Sequence, residues 1–222
     1  ECIIQVQNGK KYMKKVPFEE LAGHGQSKYA LVNAGYYKYE KCWFIKDDMT
    51  RLVACFVADG SYSESKTQIR FGFTKKRKIE RFRNMVDRLG VDYDEKVQGK
   101  LKVTYFTISD FDYVCNMKRY CTADKTLLKP AMTELNPLVY LEEASHWDGH
   151  VNHTNLITVS STNRSTLDSM QIMAVQSGVR ARLYKVKDER DNVSDTWTLS
   201  YNLNKKPLSR FESKDIDLRT HH

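Results

Sequence analysis

The sequence predicts an α+β fold made of one αββαββα unit written twice, and three observations predict it. The stretches Leu52-Val53-Ala54-Cys55-Phe56-Val57-Ala58-Asp59-Gly60 and Leu141-Glu142-Glu143-Ala144-Ser145-His146-Trp147-Asp148-Gly149 each read as a helix closing on an acid and a glycine. Next, Ile69-Arg70-Phe71-Gly72-Phe73-Thr74 reappears 88 positions later as Ile157-Thr158-Val159-Ser160-Ser161-Thr162. Third, the stripe Ile79, Phe82, Met85, Val86, Leu89 before Gly90-Val91 maps at that same offset onto Leu167, Met170, Met173, Ala174, Ser177 before Gly178-Val179. Spacings of three and four are the period of a half-buried helix. A fixed offset through helix, strand and helix marks an internal duplication.

Each element has its own local reason. Residues 1–45 are Tyr-rich and broken by Gly9, Gly23, Gly25 and Gly35, which predicts an extended arm or small appended layer. The first repeat, 46–121, begins with a helix capped by Asp47, 12 residues before Asp59; the second, 137–222, begins after Asn136, 12 residues before Asp148, with Pro137 at the first helical position. Gly60 and Gly149 are expected to take the left-handed conformation that ends a helix, which puts a carboxylate on each last turn. Over 68–74, Ile69, Phe71 and Phe73 alternate with Gln68, Arg70, Gly72 and Thr74, giving an apolar face and a hydrogen-bonding face. Residues 122–136 read as a linker carrying Lys125, Lys129 and Pro130. Trp197 to Asn204 reads as a strand, with Trp197, Leu199, Tyr201 and Leu203 opposite Thr198, Ser200, Asn202 and Asn204.

Composition narrows the function. The 222 residues, 41% hydrophobic and 11% aromatic, suffice for a real core. The 36 Lys and Arg against 28 Asp and Glu give +8, which favours a polyanionic partner. No apolar run is long enough for a membrane span and no charged-then-apolar leader opens the chain, so a cytoplasmic protein is expected. Five cysteines without close pairing predict reduced thiols. Two helix ends brought together would hold Asp59 and Asp148 beside two negative macrodipole ends, a repulsive arrangement that a divalent cation relieves.

These acid-glycine helix ends, with their repeated strands and amphipathic helices, resemble the LAGLIDADG homing endonucleases in the single-chain, two-repeat form, over about residues 46–206. The resemblance implies two helices packed at a pseudo-twofold axis and a DNA-binding saddle of antiparallel sheets. It implies a monomer that needs no protein partner, binds double-stranded DNA and hydrolyses both strands of a long, asymmetric target with Mg2+. Asp59 and Asp148, with the residues before them, Ala58 and Trp147, are the implied metal site. The implied basic residues are Lys125, lying 23 before Asp148, with Lys129 as its competitor, and Lys205 or Lys206 after the second repeat. Ala54 and Ala58 are small, as close helix packing needs, whereas Glu143 and Trp147 depart from the family's small residues. The segment Lys14 to Leu21 is similar to the segment that precedes such nucleases in inteins, but the chain has no terminal His-Asn and self-splicing is not expected.

The polar strand faces supply candidate DNA contacts: Gln68, Arg70, Gly72 and Thr74 in the first repeat, and Thr158, Ser160, Thr198, Ser200, Asn202 and Asn204 in the second. Arg180, Arg182, Lys185 and Lys187 are further candidates. The run Lys75-Lys76-Arg77-Lys78 reads either as a solvated helix start or as a source of phosphate contacts, with Lys75 and Lys76 the candidates. His146, His150 and His153 admit a histidine metal site instead, and Cys55 reads as a small core residue. The alternative function is a non-cleaving nucleic-acid-binding protein of the same fold, a maturase or a regulator.

Overall fold

The computed structural model describes residues 2–8, 10–16, 29–31, 47–186 and 196–204, with side chains from residue 47 onward. The α+β class expected from the sequence is the one observed. The first repeat runs α1 (Asp47–Asp59), β4 (Gly60–Tyr62), β5 (Ile69–Phe73), α2 (Lys76–Leu89), β6 (Asp94–Gln98), β7 (Val103–Ile108) and α3 (Phe111–Tyr120). A short helix, α4 (Lys129–Glu134), precedes the second repeat: α5 (Pro137–Trp147), β8 (Gly149–Val151), β9 (Ile157–Ser161), α6 (Arg164–Gln176), β10 (Ala181–Val186) and β11 (Thr196–Tyr201). The closing helix expected of the second repeat lies outside the described residues. At the N-terminus, β1 (Cys2–Asn8), β2 (Lys10–Val16) and β3 (Tyr29–Leu31) form a separate antiparallel sheet ordered β2-β1-β3.

Both repeats build four-stranded antiparallel sheets of the same connectivity, β4-β5-β7-β6 and β10-β11-β9-β8. The strand that follows each acid, β4 or β8, is an edge strand paired with the next one, Gly60 opposite Phe71 and Gly149 opposite Val159. Helices cover the apolar face of each sheet, α1 and α2 on β5, α5 and α6 on β9. Phe71, Phe73, Phe82 and Phe106 interlock beneath the first sheet, with Phe82 centred 4.6 Å from both Phe71 and Phe106. Each such ring contributes about 1.5–3 kcal/mol through burial. Leu141, Leu167, Met170, Leu199 and Tyr201 play that part in the second repeat.

The two acid-ending helices pack side by side and point the same way. At their starts, Asn136 Nδ2 donates to Asp47 Oδ1 at 3.2 Å and the Asn136 backbone N–H donates to Thr50 Oγ1 at 3.3 Å. Asn136 caps α5 as expected, accepting from the Val139 N–H at 3.4 Å. Asp47, by contrast, is the first residue inside α1 rather than its cap, and its carboxylate serves the neighbouring helix.

Gly60 and Gly149 differ from expectation. Neither is among the described residues of positive φ, which are Gly90, Gly99 and Gly178 together with a few non-glycines. Their requirement is space: each strand folds straight back on the helix it leaves. A Cβ on Gly60 would stand 2.7 Å from Phe56 Cα, and one on Gly149 only 2.5 Å from Ser145 Cα. The glycines therefore permit the helix-to-strand reversal that leaves each acid at the seam between helix layer and sheet.

Candidate active site and nucleic-acid interface

The parallel packing of α1 and α5 brings Asp59 and Asp148 to one place, and a third side chain joins them. Lys78, from the first turn of α2, sets its Nζ 2.5 Å from Asp59 Oδ2 and 3.3 Å from Asp148 Oδ1. Its side chain is buried, 8% exposed as a residue, with the ammonium 6.0 Å from the centroid of the Trp147 ring. The run 75–78 is therefore divided. Lys75, Lys76 and Arg77 are exposed, Lys76 pairing with Glu80 at 3.6 Å, while Lys78 turns inward. Sequence reasoning missed it, although the signal was there: Lys78 precedes Phe82 by four and so lies on the apolar stripe of α2.

Lys125 reaches the same centre from the linker between the repeats. Its Nζ donates to the Ala58 carbonyl oxygen at 2.7 Å. Lys125 stands on a tight turn at φ +69°, a conformation that costs a non-glycine residue and has to be held in place. The Lys125 N–H donates to the Thr122 carbonyl at 3.1 Å, and Thr166 Oγ1 and Asn163 Nδ2 of the second repeat donate to the carbonyls of Lys125 and Asp124 at 2.7 and 2.8 Å. Lys129 is exposed at the start of α4. Lys205 and Lys206 lie outside the described residues, as does Lys187.

Glu143 and Trp147, the departures from small residues, lie across the repeat boundary. Glu143, 1% exposed, accepts two 2.6 Å bonds from Arg81 of α2 and one of 2.9 Å from Trp147 Nε1. Trp147 stacks on Phe73 of β5 with centroids 5.4 Å apart. The pair ties the last turn of α5, and with it Asp148, to the first repeat.

The donor set suits a hard divalent cation: two carboxylates and the Ala58 carbonyl, all oxygen, converge within reach of the two ammonium groups. The Trp147 side chain is committed to packing. Among the described residues no three His, Cys, Asp or Glu side chains cluster as metal ligands. The three histidines are dispersed: His146 sits half-buried in α5, where burial and then Arg81 lower its pKa, His150 lies on β8, and His153 is exposed in the following turn. Cys55 is fully buried, and burial pushes its thiol well above the ordinary value.

Beyond the acids, the strand registers define two open polar rows. Ser61, Arg70, Thr107 and Asp94 cross the first sheet, and His150, Thr158, Ser200 and Arg182 cross the second. Adjacent rows are Gly72-Tyr105-Lys96 and Ser160-Thr198-Tyr184. Arg70 is exposed and oriented by Gln68 Oε1 at 2.9 Å; Gln68 in turn donates to Ser109 at 3.0 Å. Thr74 is exposed beyond β5, and a Cβ on Gly72 would press on the Tyr105 ring at 3.2 Å. Sequence reasoning missed Lys96, Tyr105 and Tyr184, because β6, β7 and β10 lack a clean alternation.

Several expected contacts are corrected. Strand β11 ends at Tyr201, so Asn202 and Asn204 leave the polar face; Asn202 is 7% exposed and its Nδ2 holds the Thr154 carbonyl at 3.1 Å, while its Oδ1 accepts from the Asn204 N–H at 2.9 Å. Thr198 keeps its face but is buried, its hydroxyl 2.9 Å from that of Ser160. Lys185 pairs with Trp197 in the register opposite to Arg182, hence on the other face of β10. Arg180 is exposed just before that strand, and Arg182 is exposed with its guanidinium 5.6 Å from the Tyr184 ring centroid.

Neither the protein-family models nor the curated proteins contain a match to this chain. Solved structures do resemble it. I-DmoI in complex with DNA and Mn is 12% identical over 71% of this chain and 90% of its own, at a TM-score of 0.45. The N-terminal LAGLIDADG domain of DUF199/WhiA is 11% identical over 73% and 80%, at 0.46. Full-length DUF199/WhiA from Thermatoga maritima is 12% identical over 75% and 53%, at 0.47. Identity this low leaves the chemistry to be argued from the chain's own side chains.

Proposed function

We propose that the protein is a metal-dependent, site-specific DNA endonuclease that cuts both strands of a long, asymmetric duplex as a monomer. The observation that carries this reading is the meeting of Asp59 and Asp148, one from each repeat, at the seam from which both polar sheet faces depart. A chain of charge +8 with exposed Arg70, Lys96 and Arg182 on those faces suits a duplex laid across them. Asp59 and Asp148, with the Ala58 carbonyl, would hold the cation. When bound, it supplies charge neutralisation at the carboxylates and a water of lowered pKa. Lys125, and Lys78 once freed from the acids, would stabilise charge developing on the phosphate. Lys205 and Lys206 remain proposed partners on the second side.

One observation favours a second reading, a binding protein that does not cleave: the Lys78 ammonium already contacts both acids, where a cation would sit. Incubation with a randomised duplex library in Mg2+ or in chelator separates the two. Recovery of double-strand breaks in Mg2+ alone supports the nuclease; retention of duplex without breaks in both supports the binder. Asp59→Asn and Asp148→Asn should each keep binding and lose double-strand cleavage by roughly a thousandfold or more, as removal of a metal-holding charge implies. Wild-type cutting by either variant would remove that acid from the site.

A further inference from the structure

This inference rests on the nuclease reading and concerns how its acid pair persists before metal and DNA arrive. Asp59 and Asp148 close two parallel helices whose negative ends lie together, so their charges repel each other and both helix dipoles. A buried ammonium with no partner would be equally unfavourable. Lys78 resolves both: it contacts the two acids at 2.5 and 3.3 Å, on a stripe of α2 otherwise filled by Phe82, Met85 and Val86. Lys125 takes the neighbouring Ala58 carbonyl. The oxygen atoms that a hard cation would use are thus already held by two lysines of the chain.

We propose that Lys78 is the resident counter-ion of the acid pair, and that its ammonium and a divalent cation exclude one another from the same position. The four-carbon stem lets Nζ leave while α2 stays in place. Once displaced, the ammonium lacks an anionic partner, and a DNA phosphate at the seam provides one. Metal and DNA therefore bind with positive coupling through Lys78: each is weak alone, and each strengthens the other by the same factor. Free protein keeps its two acids paired to one ammonium without metal, which halves their net charge.

The test uses Ca2+ as the probe, titrated calorimetrically into DNA-free protein, beside thermal melts in chelator and in Ca2+. The wild type should bind Ca2+ weakly and melt at nearly the same temperature in both. Lys78→Met should bind Ca2+ about tenfold tighter or more, since an opposing full charge has been removed from the site. It should also melt lower than wild type in chelator and recover in Ca2+. Lys78→Gln, polar and similar in length, should shift in the same direction if the methionine variant folds poorly. Ca2+ affinity unchanged from wild type in a folded Lys78→Met or Lys78→Gln protein would overturn the proposal. These readouts involve neither DNA nor strand scission, so a failed cleavage assay and a failed calcium titration are separate results.

Discussion

The two flanks of the acid pair reach similar chemistry by different means. On the first flank, α2 brings its own ammonium, Lys78, directly to the carboxylates. At the equivalent place on the second flank, 88 residues on, α6 carries Thr166, which is buried and holds the turn that delivers Lys125. A rigid helix supplies one cation, and a strained turn docked on a hydroxyl supplies the other. The same contrast extends along the helices. Arg77, Arg81 and Arg88 of α2 bond to the His146 carbonyl, Glu143 and Asp48, so that α2 clamps both central helices. At the matching positions of α6 are Ser165, Ser169 and Gln176, and Ser169 bonds within its own helix. Duplication thus preserved the apolar stripes, while the polar positions diverged into one clamped flank and one lightly held flank.

Breaking the clamp should have the largest effect. Glu143→Gln leaves the Arg81 guanidinium without its buried carboxylate partner, and fully buried pairs broken in this way cost about 3–5 kcal/mol. Because Arg81 is a third exposed, water recovers part of that, and a loss of roughly 2–3 kcal/mol is expected. Ser169→Ala on the other flank should change stability by less than about 1 kcal/mol. Chemical denaturation of both variants measures the contrast, and equal losses would show that the flanks are equally clamped. Because Glu143 orients Trp147, the first variant should also disturb Asp148 and slow cleavage more than it weakens DNA binding.

The repeated framework was legible in the sequence because burial leaves a periodic trace: Ile69-Phe71-Phe73 against Ile157-Val159, and the α2 stripe against that of α6. The acids were legible because each sits before a glycine that the fold cannot replace, although the glycine acts by clearance rather than by a left-handed turn. Lys78 was hidden because a lysine in a basic run looks solvated; only its register with Phe82 gives it away. Asn202 misled in the opposite sense, since alternation continues in the sequence for one step past the point where the strand ends. Lys125 was legible by its place in the chain, but the turn that holds it depends on Asn163 and Thr166, contacts that no local pattern announces.

The polar rows sharpen the comparison of the two halves in a second way. The first sheet presents Arg70 where the second presents Thr158, and Asp94 where the second presents Arg182. The halves should therefore read different half-sites. Arg70→Ala should relax base preference or weaken binding on one side of the cleavage point only, by roughly 1–3 kcal/mol if the guanidinium makes a bidentate base contact. Thr158→Ala should act on the opposite half-site and more weakly. Profiling every single-base variant of a selected target distinguishes these outcomes. A symmetric change, or a preferred target that is a perfect palindrome, would contradict the division of labour.

The smallest expected effect lies at the far ends of the two central helices, where α1 begins with charge and α5 with a neutral cap. Asp48 is bonded to Arg88 at 2.9 Å and to Arg51 at 3.2 Å, and these partners, Arg88 foremost, hold its carboxyl below the ordinary 3.8. A folded pKa below the unfolded one means that the contribution is complete above pH 3.8 and is lost as pH falls through the folded value. Acid should therefore loosen the contact between α1 and α2. Asp48→Asn should lower stability at neutral pH by less than about 1 kcal/mol, since the pair is partly hydrated, and should flatten the decline in stability below pH 4. Denaturant midpoints taken from about pH 2 to 6 measure both slopes. If the variant and the wild type decline in parallel, Asp48 does not contribute to the acid limb, and the clamp of α2 on α1 rests on its apolar contacts and on Lys78 with Asp59.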